Sequence, residues 1–187
     1  MLAGMQFNEA KAAQAAARLL RLRGGRMSYL KLIKFLYLAD REALARWGRP
    51  ITTDCYVSMK HGPVLSRVLN LITEGEDPSS GETIWTKYIS EPDHFDVFLK
   101  NDSPGDLLSE AEDELLDETF GKFGHMNRWK LVDFVHTLPE WKDPDGSAFP
   151  ITYRDILKAQ NKTPERIRAI ESELQSLSEM DYYLAAR

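Results

Sequence analysis

The sequence predicts a mainly α fold with a small antiparallel β-sheet (α+β): a compact helical domain followed by a C-terminal helical arm. Three observations predict it. From Tyr29 to Trp47 the chain is almost continuously apolar at helical spacing. Cys55 to Lys60 alternates apolar and polar residues with the period of a strand. After Thr163-Pro164, Ile167, Ile170, Leu174, Leu177 and Leu184 recur close to a heptad seam.

Taken in order, Asn8 caps a first helix that runs to about Leu22, with Ala12, Ala16, Leu19 and Leu20 inward, and Gly24-Gly25 ends it. The central helix follows, with Ser28 as N-cap and Gly48 as its stop. At about 100° per residue, Ile33, Leu36, Asp40, Leu44 and Trp47 share one face. Lys31, Lys34, Arg41 and Glu42 form a narrow polar stripe opposite, so the helix is expected to be covered on most sides. Asp40 then points to the core, where a carboxylate needs partners from outside its own helix. In the strand from Cys55, the residues Cys55, Val57 and Met59 are expected to face inward. Gly62 turns the chain, and Pro63 is placed in the first turn of a helix that buries Val64, Leu65, Val68, Leu69 and Ile72 and ends near Gly75.

Glu76 to Glu82 reads as a loop, and Ile84 to Ile89 and Phe95 to Leu99 as two strands that join Cys55 to Lys60 in one sheet. Ser109 and Glu112 make a capping box for a helix with Leu115, Leu116, Phe120 and Phe123 inward and its acids outward. Asn127 caps the next helix, with Leu131, Val132, Val135 and Leu138 inward, and Pro139-Glu140-Trp141 ends it. Tyr153 to Ala159 is a short helix. Residues 1–160 are expected to form the domain and 161–187 the terminal helix, packed on the domain or used for partner binding.

The chain of 187 residues is long enough to bury one core. No run of eighteen apolar residues occurs, so no membrane span is expected. Met1 to Ala17 is interrupted by polar residues, unlike a signal peptide. A single cysteine, Cys55, forbids an intrachain disulfide and fits a reducing cytoplasm. The net charge of −5 is unevenly spread. Arg18, Arg21, Arg23, Arg26, Lys31 and Lys34 follow one another without an acid, and between Asp102 and Glu118 eight acids occur without a base. Such asymmetry steers a charged partner or marks two solvated faces.

Two motifs carry a family resemblance. The first is Leu30-Lys31-Leu32-Ile33-Lys34-Phe35-Leu36-Tyr37-Leu38-Ala39-Asp40, and the second is His61-Gly62-Pro63-Val64. A third, weaker one is Val135-His136-Thr137-Leu138-Pro139-Glu140-Trp141. In this order the chain from about Met27 to Lys142 resembles the Panacea domain, the SocA-like family of bacterial antitoxins. The family more often has Tyr where His61 stands. The resemblance implies an antitoxin that neutralises a cognate toxin by binding, with delivery of the toxin to an ATP-dependent protease as one mode. The motif residues it marks are Leu30, Lys34, Tyr37, Asp40, His61, Gly62, Pro63, His136 and Trp141.

For the partner surface two candidates stand out. Glu110, Asp113, Glu114 and Asp117 would suit a basic toxin, and Ile170, Leu174, Leu177 and Leu184 a facing helix. The alternative is a DNA-binding regulator using the Arg18–Arg26 cluster, with Gly24-Gly25 as the turn of a helix-turn-helix. Its second helix offers only Lys31, Lys34 and Arg41 to base edges, so nucleic acid is not the expected partner. A cysteine hydrolase built on Cys55 and one of the four histidines is the third reading, weakened by the inward position expected for Cys55. No phosphate loop, zinc-protease motif or paired metal-ligand spacing occurs, so no enzyme activity, metal or cofactor is expected.

Overall fold

The computed structural model describes residues 6–74 and 83–185, with side chains placed through Tyr183. In order the elements are α1 (Glu9–Leu22), β1 (Arg26–Ser28), α2 (Tyr29–Trp47), β2 (Tyr56–Met59), β3 (Gly62–Leu65), α3 (Ser66–Thr73) and α4 (Ile84–Tyr88). They continue with β4 (Asp96–Phe98), α5 (Glu110–Phe123), α6 (Arg128–His136), β5 (Phe149–Ile151), α7 (Tyr153–Ala159) and α8 (Pro164–Ala185). The fold is mainly α with two small antiparallel sheets. None of the described helices is long and apolar enough to cross a membrane.

Helix α2 is the axis. It packs against α1, α3, α5, α6 and α7 and against β1 and β3. Residues 31–40 are all buried, as an apolar helix surrounded on every side requires. Gly48 ends the helix in the left-handed region at φ 77°, and its N–H donates to the Leu44 carbonyl. Two expectations are corrected here. Lys31 and Lys34 do not line a solvated stripe, because neighbours pack over them and carbonyls receive their ammonium groups. Ser28 occupies the N-cap position, but its hydroxyl makes no capping bond and is buried without a partner.

The segment from Cys55 to Leu65 is a hairpin, so Gly62-Pro63 does not start a helix. Strand β3 pairs antiparallel with β2, with Ser58 opposite Pro63 and Met59 opposite Gly62. The sheet order is β3-β2-β5, which leaves β3 at an edge where a residue without an N–H is tolerated. Helix α3 begins three residues later, at Ser66, and Asp54 caps it by accepting from the N–H groups of Arg67 and Val68 at 3.0 and 2.9 Å. The inward parity of β2 is also the reverse of that expected. Tyr56 and Ser58 face in, while Cys55 is exposed. Buried partners decide this: the Tyr56 hydroxyl donates to Asp40, and the Ser58 hydroxyl accepts from the Lys142 N–H.

Residues 84–88 form a helix, not a strand. Thr83 and Thr86 make a capping box, the Trp85 N–H donates to Glu9 Oε1 at 2.8 Å, and α4 packs on α1 with Trp85 buried. Strand β4 forms as expected but pairs with β1, at Met27 opposite Val97, so the strands do not share one sheet. The loop expected from Glu76 to Glu82, and the helix end near Gly75, lie outside the described residues.

Helices α1, α5 and α6 match their expected caps and apolar inward faces, and α7 forms over the expected residues; Glu112, expected outward with the other acids of α5, is instead buried where Lys11 pairs with it. Asn8 accepts from the Lys11 N–H, Ser109 and Glu112 form their capping box, and Asn127 accepts from Trp129 and Lys130. Helix α8 starts at Pro164 and docks its first half, burying Ile167, Ile170 and Leu174. A Cβ at Gly48 would come within 3.2 Å of Ile170 Cγ1, so the α2 turn and α8 touch at van der Waals distance.

Asp40 joins three segments. Its carboxylate accepts from the N–H groups of Ile51 and Thr52 at 2.8 and 3.0 Å, from the Tyr56 hydroxyl at 2.8 Å and from the Thr52 hydroxyl. Asp40→Ala is expected to destabilise the protein by about 2–4 kcal/mol, because four donors then lose a buried acceptor. An unchanged melting temperature would reject this account.

Candidate functional site

The sequence motifs converge on the space between α2, the β2–β3 hairpin and the end of α6. Lys34, Tyr37 and Arg41 lie at i, i+3 and i+7 on one face of α2, so all three reach the same side. Lys34 is fully buried and its ammonium donates to the Pro63 carbonyl at 2.7 Å. Gly62 lies directly beneath: at φ 95°, a Cβ there would stand 2.5 Å from Val135 Cγ2 and 3.4 Å from Lys34 Nζ. Only glycine lets the hairpin approach α6 and the lysine this closely. Burial pushes the Lys34 ammonium down to about 7.

His136 closes the cluster from the last turn of α6. Its ring stacks on Trp141, with centroids 4.0 Å apart and planes 18° from parallel. Burial, followed by the charge of Lys34, lowers the imidazole below its ordinary value. Its Nε2 is buried without a hydrogen-bond partner. Trp141 Nε1 donates to the Met59 carbonyl at 3.1 Å, fixing the segment after α6 to β2. Among the motif residues, His61 alone is exposed; its ring meets Trp129 edge-on at 5.7 Å. Leu30 lies at the other end of the same surface, half-buried.

One functional-looking group escaped the sequence reading. Glu140, with its side chain fully buried, accepts from the Tyr37 hydroxyl at 3.0 Å and from Arg41 Nε at 2.5 Å. Burial, then the Glu140 charge, raises the Tyr37 hydroxyl well above its usual range. Glu140 sits inside the third motif. Its partner Arg41, however, lies at the edge of an assumed solvent stripe, and helical spacing alone does not pair the two. The Asp40 carboxyl, on the neighbouring face, is pushed up to about 6 by burial against the opposing hydrogen bonds from Thr52, Tyr56 and Ile51.

The candidate partner surfaces are distributed differently. Acids and bases that are segregated along the chain meet each other. Arg18 grips Asp117 with two hydrogen bonds of 2.9 and 2.7 Å and lies 3.9 Å from Asp113. Lys11 pairs with Glu112 at 2.7 Å, Arg21 with Asp102 at 3.2 Å, and Arg46 with Glu118 at 2.7 Å. Burial raises the Glu112 carboxyl, but the Lys11 and Ser109 contacts outweigh it and hold the group below its ordinary value. Of the four candidate acids, Asp113 and Asp117 are thus met by Arg18 across the α1–α5 contact. Glu110 and Glu114 are exposed, without an ion pair among the described residues. In α8, Ile170 and Leu174 are core residues, not a free seam, and Leu177 is half-buried. Leu184 lies in the helix, its side chain outside the described set.

Cys55 is exposed, so the inward packing expected of it does not hold. Among the described residues no three His, Cys, Asp or Glu side chains are grouped to hold a metal.

Lys34 gives a pH test. Its folded value of about 7 lies below its ordinary 10.5, so between those limits the unfolded chain holds a proton that the folded chain has released. Wild-type stability therefore rises with pH across this window, by at most about 1.4 kcal/mol per unit. Lys34→Met lacks the effect. The stability of wild type relative to the variant in urea unfolding should rise from pH 7 to pH 9; a relative stability independent of pH rejects the assignment.

Comparison with curated proteins and with solved structures returned no match. A family model described as the antitoxin SocA-like, Panacea domain matches residues 32–142. The match opens inside α2 and closes just past Trp141, so it spans the Lys34, Tyr37 and Asp40 contacts, the hairpin and the His136–Trp141 stack. It covers more than half of the 187 residues, and the chain belongs to the SocA-like Panacea family of antitoxins.

Proposed function

We propose that this protein neutralises a cognate toxin by binding it directly in the cytoplasm, without an enzymatic step. The match to the antitoxin family over the assembled motif region carries the reading. The bonding of the motif residues supports it. Lys34 is committed to a backbone carbonyl, Asp40 to four donors and Tyr37 to Glu140, which is the pattern of a rigid scaffold presenting its surface to a partner. The engagement of Arg18, Arg21 and Arg26 by Asp117, Asp102 and Asp96 weighs against a phosphate-binding role for that cluster. Co-expression with the toxic product of the adjacent reading frame tests the proposal. Protection of growth and recovery of a stoichiometric complex are expected, and loss of neither toxicity nor free toxin rejects it. Repeating the assay in cells lacking ATP-dependent proteases separates the two modes, since blocking survives the deletion and delivery does not.

The distal end of α8 is the part of the arm available to a partner. Met180, Tyr182 and Tyr183 are exposed, beyond the docked Ile167, Ile170 and Leu174. Truncation after Ser178 should leave the melting temperature nearly unchanged and weaken protection. Truncation after Gln160 should instead cost roughly 5 kcal/mol, from three buried aliphatic side chains. Equal melting temperatures for the two truncations would reject this division of the helix.

A further inference from the structure

We propose that the groove between the start of α2, the turn that leads into β4 and the start of α6 receives an acidic segment of the toxin that carries an aromatic side chain. The proposal rests on the antitoxin reading for the identity of the partner, and on the groove alone for its chemistry.

Two adjoining cavities make the groove, and they share Ser28 and Arg128. The first, about 270 Å³, is lined chiefly by Tyr29, Leu30, His61, Phe95 and Trp129. Phe95 and Trp129 are 62% and 51% exposed, uncommon for rings that lie together at one cavity. Trp129 is held edge-on by His61 and lies under the Arg128 guanidinium, 5.3 Å from the ring centre. Phe95 stands at the tip of the turn closed by reciprocal backbone hydrogen bonds between Asp93 and Asp96. Both central residues of that turn, His94 and Phe95, have positive φ, 49° and 72°, where Asn-Gly is the favoured pair. A phenyl ring kept there, in a strained backbone and facing water, fits a ring that serves a partner.

The second cavity supplies the charge. Arg23, Arg26, Lys31 and Arg128 line it against one acid, Asp96. Asp96 engages Arg26, and Lys31 donates to the Gly124 and Met126 carbonyls. Arg23 and Arg128 make no ion pair among the described residues. In a chain of net charge −5, four cations set against one acid around one cavity are a local excess of positive charge. The Ser28 hydroxyl, buried and unpartnered, sits where the cavities meet, at the start of a helix without a side-chain cap. A carboxylate there would answer both the arginines and the unpartnered Ser28 hydroxyl. The complementary ligand is thus a ring for the first cavity with carboxylates beside it. The antitoxin family match, which implies a protein partner, favours such a peptide over a phosphate backbone.

Fluorescence anisotropy with the full chain tests the groove. The probes are a labelled Glu-Asp-Trp-Leu-Asp-Glu peptide, its Gln/Asn counterpart and a labelled single-stranded oligonucleotide. The acidic peptide should bind at least about tenfold more tightly than its neutral counterpart, and Trp129→Ala or Arg128→Glu should each weaken it about tenfold with an unchanged melting temperature. Equal binding of the two peptides, binding of neither, or tighter capture of the oligonucleotide overturns the proposal. In cells, Trp129→Ala and Phe95→Ala should lose protection against the adjacent toxin while wild type retains it. Full protection by both variants overturns the assignment of the groove to the toxin. If wild type itself fails to protect, the antitoxin reading falls, and the peptide measurement still decides the groove.

Discussion

The carboxylate of Asp40 is the constraint on which the arrangement depends. A charge in the middle of an apolar helix is tolerable only if fixed donors surround it. Here the chain after α2 returns to supply them from Ile51, Thr52 and Tyr56. That return orients β2, and β2 in turn sets the hairpin through Gly62 and Pro63. The hairpin then presents the Pro63 carbonyl to Lys34. Lys34 and Asp40, about two helical turns apart on α2, thereby anchor both strands of the hairpin to the same helix.

A second layer of polar contacts locks the end of α6 onto that sheet. Glu140 takes Tyr37 and Arg41, Trp141 takes the Met59 carbonyl, and Lys142 takes Ser58. The Tyr37–Glu140 bond is buried and the others partly so, and losing one member strands its partner. The motif region is thus a set of interlocked supports. Its chemistry is spent on holding the surface that lies above it, including His61, Leu30 and Trp129, in one geometry.

Charge follows the same logic at longer range. The basic stretch of α1 and the acidic stretch of α5 are separated by about eighty to a hundred residues in sequence but face each other across a helix pair. Exposed pairs of this kind contribute little individually. Their larger effect is to cancel local fields between α1 and α5, whereas Arg23 and Arg128, beside the start of α6, have no acid partner among the described residues.

Much of this was legible in the residues themselves. Asn8, Ser109 and Asn127 announce helix starts because a side-chain oxygen and the following N–H groups are neighbours along the chain. Asp40 announces its burial because helical spacing sets it among Ile33, Leu36 and Leu44. The Gly62-Pro63 pair misled, since the dipeptide suits a helix start and an edge strand equally, and pairing with β2 was the deciding energy. The same holds for Ile84 to Tyr88, where a capping box and contact with α1 accompany a helix in place of the expected strand. Lys31 and Lys34 look solvent-seeking by side chain, yet distant carbonyls at Gly124, Met126 and Pro63 receive them. The sequence by itself determined the local events: caps, periodicity, the family motifs and the one inward acid, all governed by neighbours within a few residues. Only the tertiary structure decided which strands pair, which lysines are buried and which charges cancel, because those outcomes depend on partners brought from tens of residues away.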